Sequence, residues 1–160
     1  MSTSQLSIRL AHTTDSAVIA EYNLALAWET ESKRLDPETV AAGVAGLLAH
    51  DHRGRYFVAC DGDRIVGQLM HTREWSDWRN GDIWWLQSVY VHPDYRGRGV
   101  FRSLLDHVCR LALETPQVVG LRLYMETHNE TARKAYLKAG FQPGGYEVFE
   151  RWNLGGAPPA

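Results

Sequence analysis

Residues Val89 to Arg102 read Val-Tyr-Val-His-Pro-Asp-Tyr-Arg-Gly-Arg-Gly-Val-Phe-Arg. A strand pattern stops at His92-Pro93, two closely spaced glycines follow, and an amphipathic helix pattern begins at Val100. The chemistry this suits is anion binding. Gly97 and Gly99 let the backbone turn so that successive N–H groups converge. The first turn of the next helix adds unpaired donors and the positive end of a dipole. Arg96, Arg98 and Arg102 add formal charge, which makes the loop suited to a pyrophosphate. A Gly-Arg-Gly alone is equally compatible with a plain turn before a core helix. Neither the Walker loop nor the dinucleotide fingerprint fits. Gly97 and Gly99 lack the Walker spacing, and Arg102 stands where the fingerprint needs its third glycine.

The elements that must hold this loop follow from periodicity and turn chemistry. Ser7–Ala11 reads as a short strand, and Thr13, Thr14 and Asp15 precede helical spacing at Val18, Ile19, Tyr22 and Leu26. Asp36-Pro37 is an N-cap with a first helical residue, followed by an apolar stripe through Leu48. Two strands, 56–60 and 64–72, flank the Asp61-Gly62-Asp63 turn. Asn80-Gly81 joins the second of them to Asp82–Val91. A helix runs from Val100 towards Pro116, and Val119–Met125 alternates as a strand. Asn129 caps a helix that Gly140 closes, and Tyr146–Trp152 reads as a final strand. The order predicts an α/β (α+β) fold with one mixed sheet and helices on its faces. No linker divides the chain, so residues 1–153 are expected to be one domain and 154–160 a flexible tail.

Bulk properties narrow the function classes. The 160 residues carry 44% hydrophobic and 22% charged residues with a net charge of −2. Neither broad nucleic-acid binding nor a polybasic membrane anchor fits that balance. No apolar run is long enough to span a bilayer, and the first residues lack the apolar core of a signal peptide. Cys60 and Cys109 read as isolated thiols of a cytoplasmic protein. His50 and His52 lack the partners of a metal site, and no Gly-x-Ser-x-Gly elbow is present. No metal is expected.

Two ordered segments carry a family resemblance. Arg96-Gly97-Arg98-Gly99-Val100 resembles the acetyl-CoA loop of the GNAT superfamily of N-acetyltransferases, Arg/Gln-x-x-Gly-x-Gly/Ala, with Phe101 departing at the final small position. The second segment, Leu121–Phe141, with Asn129, Ala132, Tyr136 and Gly140-Phe141, resembles the segment that carries that family's general acid. The tryptophan-rich stretches around Glu74–Asn80 and Trp84–Val89 are similar to a bacterial subgroup. The resemblance spans about Leu6 to Trp152 and implies a mostly antiparallel sheet of about seven strands with about four helices. It implies that the amides of Gly97, Arg98, Gly99, Val100, Phe101 and Arg102 bind the pyrophosphate of acetyl-CoA. Val89 and Val91 would pair with the pantetheine arm, joined by Asn129. Tyr136 would protonate the departing thiolate, although position alone also fits an apolar-stripe residue.

The base and the acceptor site are left as sets of residues. Glu126, Glu29 and Glu74 are the carboxylate candidates, acting through water, while Gln87 cannot ionise. Trp75, Asp77, Trp78, Trp85 and Gln87 are candidates for a pocket with aromatic walls, which suits an ammonium group; core packing is the competing reading for the tryptophans. No cysteine lies in either motif, so direct attack within a ternary complex is expected, with acetyl-CoA as co-substrate and a small-molecule amine as acceptor. A non-catalytic acyl-CoA-binding sensor and a protein lysine or N-terminal acetyltransferase are the alternatives. A homodimer is compatible with the family and marked by no residue.

Overall fold

The computed structural model describes residues 6–152 and 154–155. Five strands form one sheet in the order β1 (Leu6–Leu10), β2 (Gly54–Asp61), β3 (Arg64–Ser76), β4 (Gly81–Val91) and β5 (Val118–Arg122). Pairing is antiparallel from β1 to β4 and parallel between β4 and β5. The helices are α1 (Ser16–Glu31), α2 (Pro37–Leu48), α3 (Val100–Glu114) and α4 (Glu130–Lys138). The chain forms two compact units: one up to Tyr124, holding the sheet and α1–α3, and one from Met125 onward, holding α4.

The mixed sheet and the four helices agree with the sequence reading, but the strand number does not. Five strands form among the described residues, not about seven. Segment 146–152, expected as the last strand, contains none, and Tyr146, Val148, Phe149 and Trp152 are exposed. Alternation supplies strand propensity, but a strand exists only when its backbone joins a ladder, and no ladder includes this segment. Of the expected tail 154–160, Leu154 and Gly155 form a bend and the rest lies outside the described residues. Among the described residues no helix is long and apolar enough to cross a membrane.

The local signals explain the first unit. The Asp36 carboxylate accepts the Thr39 amide at 2.8 Å, with Pro37 at the first helical position of α2. α1 and α2 cover one sheet face, where Ile19, Tyr22 and Val44 pack with Tyr56, Val58, Met70 and Tyr90. α3 covers the other with Val100, Leu104, Leu105 and Val108 buried, and its His107 ring lies 5.4 Å from Phe57.

A bulge in β4 separates two regimes of alternation. Met70 pairs with Gln87 and Gln68 with Tyr90, so three steps along β4 match two along β3. The extra residue falls at Ser88–Val89, and Ser88 has φ 49°. Gln87 and Tyr90 therefore point to the same face, where unbroken alternation would send them to opposite ones.

Candidate active site

The glycine loop leads directly from β4 into α3. Pro93–Tyr95 forms a single 3-10 turn, and Gly97 and Gly99 take φ values of 74° and 80°. Such values strain any residue that has a Cβ. Gly99 is the N-cap of α3 and brings no side-chain cap, and the Ser103 amide bonds the Gly99 carbonyl at 2.9 Å to begin the helix. A Cβ placed on Gly97 or Gly99 would meet no atom of the described residues within 4 Å beyond its chain neighbours. An uncapped helix N-terminus behind two left-handed glycines is the arrangement that aims several amides at one anion.

The three arginines of the loop are used differently. Arg96 donates to Glu29 Oε2 of α1 at 2.6 Å and, through Nε, to the Val91 carbonyl at 2.9 Å. It fastens the start of the loop to α1 and β4. Arg102 pairs with Asp106 one turn along α3, at 2.8 Å. Arg98 lies over the Tyr95 ring, 5.2 Å from its centroid, and the Tyr95 hydroxyl donates to Asp61 at 2.8 Å. Burial and the Asp61 bond both hold that phenol above its usual range, the bond first.

Beside the loop, β4 runs on past the end of its pairing with β5. β5 pairs with Asp82–Trp85, so from Leu86 to Val91 the strand pairs with β3 alone among the described residues. Val89 and Val91, expected to meet the pantetheine arm, lie on that stretch.

The structure separates the four clustered tryptophans. Trp84 is buried and stacks on His71 at 4.0 Å, facing α3's side of the sheet. Trp85 points to the opposite face, where its Nε1 donates to Glu74 Oε2 at 2.9 Å. Trp75 and Trp78 sit at the tip of the β3–β4 hairpin, 61% and 85% exposed. Asp77 accepts the Trp78 amide at 2.8 Å within that turn. Gln87 lies on the Trp85 face and donates to Thr72 Oγ1 at 2.7 Å. Arg122 of β5 donates to Glu74 Oε2 at 2.9 Å and lies over the Trp85 ring at 5.6 Å, and Tyr124 meets the same ring at 5.8 Å. The compact polar group is thus Glu74, Trp85, Gln87 and Arg122, without the hairpin-tip tryptophans.

The carboxylates expected as bases have defined partners. Glu29 accepts Arg96 on one oxygen and the Tyr90 hydroxyl, at 3.1 Å, on the other. Glu74 accepts two donors on Oε2. Glu126 lies in the second unit, beyond the end of β5, and accepts the His128 amide at 2.8 Å. His50 and His52 are exposed, and the His50 ring bonds the Gly46 carbonyl at 2.9 Å.

In the second unit Asn129 caps α4, accepting the Ala132 amide at 3.0 Å. At the far end Gly140, with φ 93°, closes the helix. The Phe141 amide bonds the Tyr136 carbonyl and the Gly140 amide bonds the Leu137 carbonyl, both at 3.0 Å. This is the Schellman pattern, with its usual apolar contact supplied by Phe141 against Tyr136, ring centroids 5.7 Å apart. The Gly140-Phe141 pair therefore both ends the helix and braces the Tyr136 ring. Burial pushes the Tyr136 phenol up to about 12, so it keeps its proton at neutral pH.

The sequence reading missed the groups that brace β4 from below. Gln68, fully buried, donates through Nε2 to Asn23 Oδ1 at 2.8 Å and to the Ser88 carbonyl at 3.1 Å. Asn23 in turn donates to the Tyr56 hydroxyl at 3.0 Å. The one legible signal is a glutamine inside an otherwise apolar run, Ile65 to Met70, where a side-chain amide requires partners.

Comparison with known proteins agrees with this geometry. The family model described as "Acetyltransferase (GNAT) family" matches residues 19–141. A streptothricin acetyltransferase of Escherichia coli is 32% identical over 85 residues, 53% of this chain and 45% of that protein. A thialysine N-epsilon-acetyltransferase of Bos taurus is 31% identical over 81 residues, 51% of this chain and 46% of that protein. The chain thus matches a little under half the length of these two relatives. The crystal structure of a possible acetyltransferase from Clostridium difficile 630 superposes with a TM-score of 0.88 at 38% identity, covering 93% of this chain and 98% of that one. With a family model matched across most of its length, the chain belongs to the acetyltransferase (GNAT) family.

Proposed function

We propose that this protein moves the acetyl group of acetyl-CoA to the primary amine of a small molecule by direct attack in a ternary complex. The observation that carries the reading is the uncapped N-terminus of α3 behind Gly97 and Gly99, continuous with the stretch of β4 that pairs with β3 alone among the described residues. The amides from Gly97 to Arg102 bind the pyrophosphate, and the main chain at Val89 and Val91 pairs with the pantetheine as an added strand would. The Val89 amide polarises the thioester carbonyl, and a donor in that role is worth ~3–4 kcal/mol at the transition state.

Two proton transfers complete the reaction. The amine loses a proton through water to a carboxylate. Glu74 is favoured over Glu29, because both Glu29 oxygens are engaged by Arg96 and Tyr90, whereas the two bonds to Glu74 both fall on Oε2. Tyr136 gives its proton to the departing CoA sulfur, with Asn129 bonding the pantetheine arm; both roles rest on the family pattern of the second segment. The face bearing Trp85, Gln87 and Glu74 receives the amine, and two relatives named for streptothricin and thialysine support a small acceptor.

A thiol-release assay against an amine panel, run beside a CoA-binding titration, tests the proposal. Turnover on at least one amine is expected, with Tyr136→Phe about 10²–10⁴-fold slower and CoA affinity nearly unchanged. Saturable CoA binding with no turnover on any amine, and no effect of Tyr136→Phe, would point instead to an acyl-CoA sensor.

A further inference from the structure

The bulge of β4 is the most strained point beside the site. Ser88 holds φ 49° without glycine's freedom, and nothing in its side chain favours that conformation as asparagine's would. A residue held this way persists only where its surroundings over-determine it. The holding group reaches it from beneath: the buried Gln68 donates to the Ser88 carbonyl at 3.1 Å.

Hydrogen-bond polarity fixes the direction of this chain of contacts. A carbonyl can only accept, so the Gln68 group facing Ser88 must be its NH2. The same nitrogen meets Asn23, so Asn23 must present its oxygen there, at 2.8 Å. That leaves the Asn23 nitrogen towards the Tyr56 hydroxyl, at 3.0 Å. α1, β2, β3 and the β4 bulge are thus linked through one amide pair. Gln68 is a costly core residue on packing grounds, since among the described residues its Oε1 meets no donor. A methionine of similar volume would fill the space without burying an amide. What methionine would lack is the donor to Ser88.

We infer that Gln68, oriented by Asn23, is a positioning residue: its amide holds the β4 bulge in register so that the Val89 amide faces the thioester carbonyl. The inference rests on the acetyltransferase reading above, because the bulge matters for chemistry only if the thioester lies along β4. Without the bulge, alternation would turn Val89 and Tyr90 to the wrong faces, and Tyr90 would lose its place against Tyr22, 4.9 Å away by ring centroids.

The test compares Gln68→Met, Asn23→Ala and each combined with Ser88→Gly. Gln68→Met is expected to lower kcat about 10–100-fold with CoA affinity close to wild type, and to lower Tm through the two acceptors it leaves unpaired; Asn23→Ala should show the same pattern, about 3–10-fold in kcat. Ser88→Gly, which adopts positive φ without a Cβ, should recover at least about threefold of the lost kcat in either background. A purely structural role would lower Tm with no kcat recovery from glycine at position 88. Unchanged kcat in both single variants, or a loss that Ser88→Gly leaves untouched, overturns the inference. Should Gln68→Met fail to fold, the half-buried Asn23 variant and its glycine partner carry the same decision. Inactive wild-type protein would count against the acetyltransferase reading alone. Amide hydrogen exchange at Val89 would then decide the clamp: about tenfold faster in Asn23→Ala if it exists, unchanged if it does not.

Discussion

The two ends of β4 are built for opposite purposes. From Asp82 to Trp85 the strand is paired on both edges, with β3 and β5. Its Trp84 is buried against His71, which lies between Trp84 and Phe57. From Leu86 to Val91 only the β3 edge is paired among the described residues, a bulge interrupts the alternation, and the chain runs into the exposed glycine loop. One end has sheet partners on both edges, and among the described residues the other has them on one. The contrast shows where to expect losses of stability and where to expect losses of binding from changes only a few residues apart.

The largest effect belongs to the closed end. Trp84→Ala should cost about 3–5 kcal/mol of unfolding free energy, because it removes a buried indole from a packed stack. Denaturant melts read this directly, and a cost below about 1 kcal/mol would mean that the closed end is not a core.

The neighbouring His71 gives a pH signature to the same region. Burial drops its imidazole to about 4, below its usual value near 6.5, and both ring nitrogens are buried. The unfolded chain therefore takes up a proton before the folded one does. Stability from the neutral ring is fully present above pH ~6.5 and is lost as pH falls from there through ~4, about 3 kcal/mol in all. Melts between pH 7 and pH 4 should show this slope, and His71→Phe should flatten it. An equal slope in the variant would assign the pH dependence to other groups.

At the open end the balance reverses. Gly99→Val forces a β-branched residue to φ 80°, at a cost of about 1–2 kcal/mol. The added Cβ meets no atom of the described residues within 4 Å beyond its chain neighbours. Acetyl-CoA binding should weaken about tenfold or more while Tm falls by only a few degrees; unaltered binding would remove the loop from the site. Smallest of all is the hairpin tip. Trp78→Ala should change stability by less than about 0.5 kcal/mol, since the ring is 85% exposed. If it also leaves amine KM unchanged, the acceptor lies with Trp85 and Glu74 and not at the tip.

The contrast also explains what could be read from the chain. Signals that act within a few residues were legible. Asp36-Pro37 caps α2, Asn129 caps α4, Gly140 ends it, and Gly97 and Gly99 turn the loop. The opposite placement of Trp84 and Trp85 follows from strand alternation. The bulge was not legible, because Ser88 carries none of the residue preferences for positive φ and the run from Trp84 to Tyr90 looks unbroken. Nor was the pairing of Arg96 with Glu29, which joins groups 67 positions apart that only the folded sheet and α1 bring together. Segment 146–152 shows the reverse failure, since its alternation promised a strand and no ladder contains it.

The most direct measurement is calorimetric titration of the folded wild-type protein with acetyl-CoA, repeated with Gly99→Val. One-to-one saturable binding, weakened in the variant, is the expected result. A folded sample that shows neither heat nor saturation would contradict the assignment of the turn after Pro93 as the cofactor's diphosphate site.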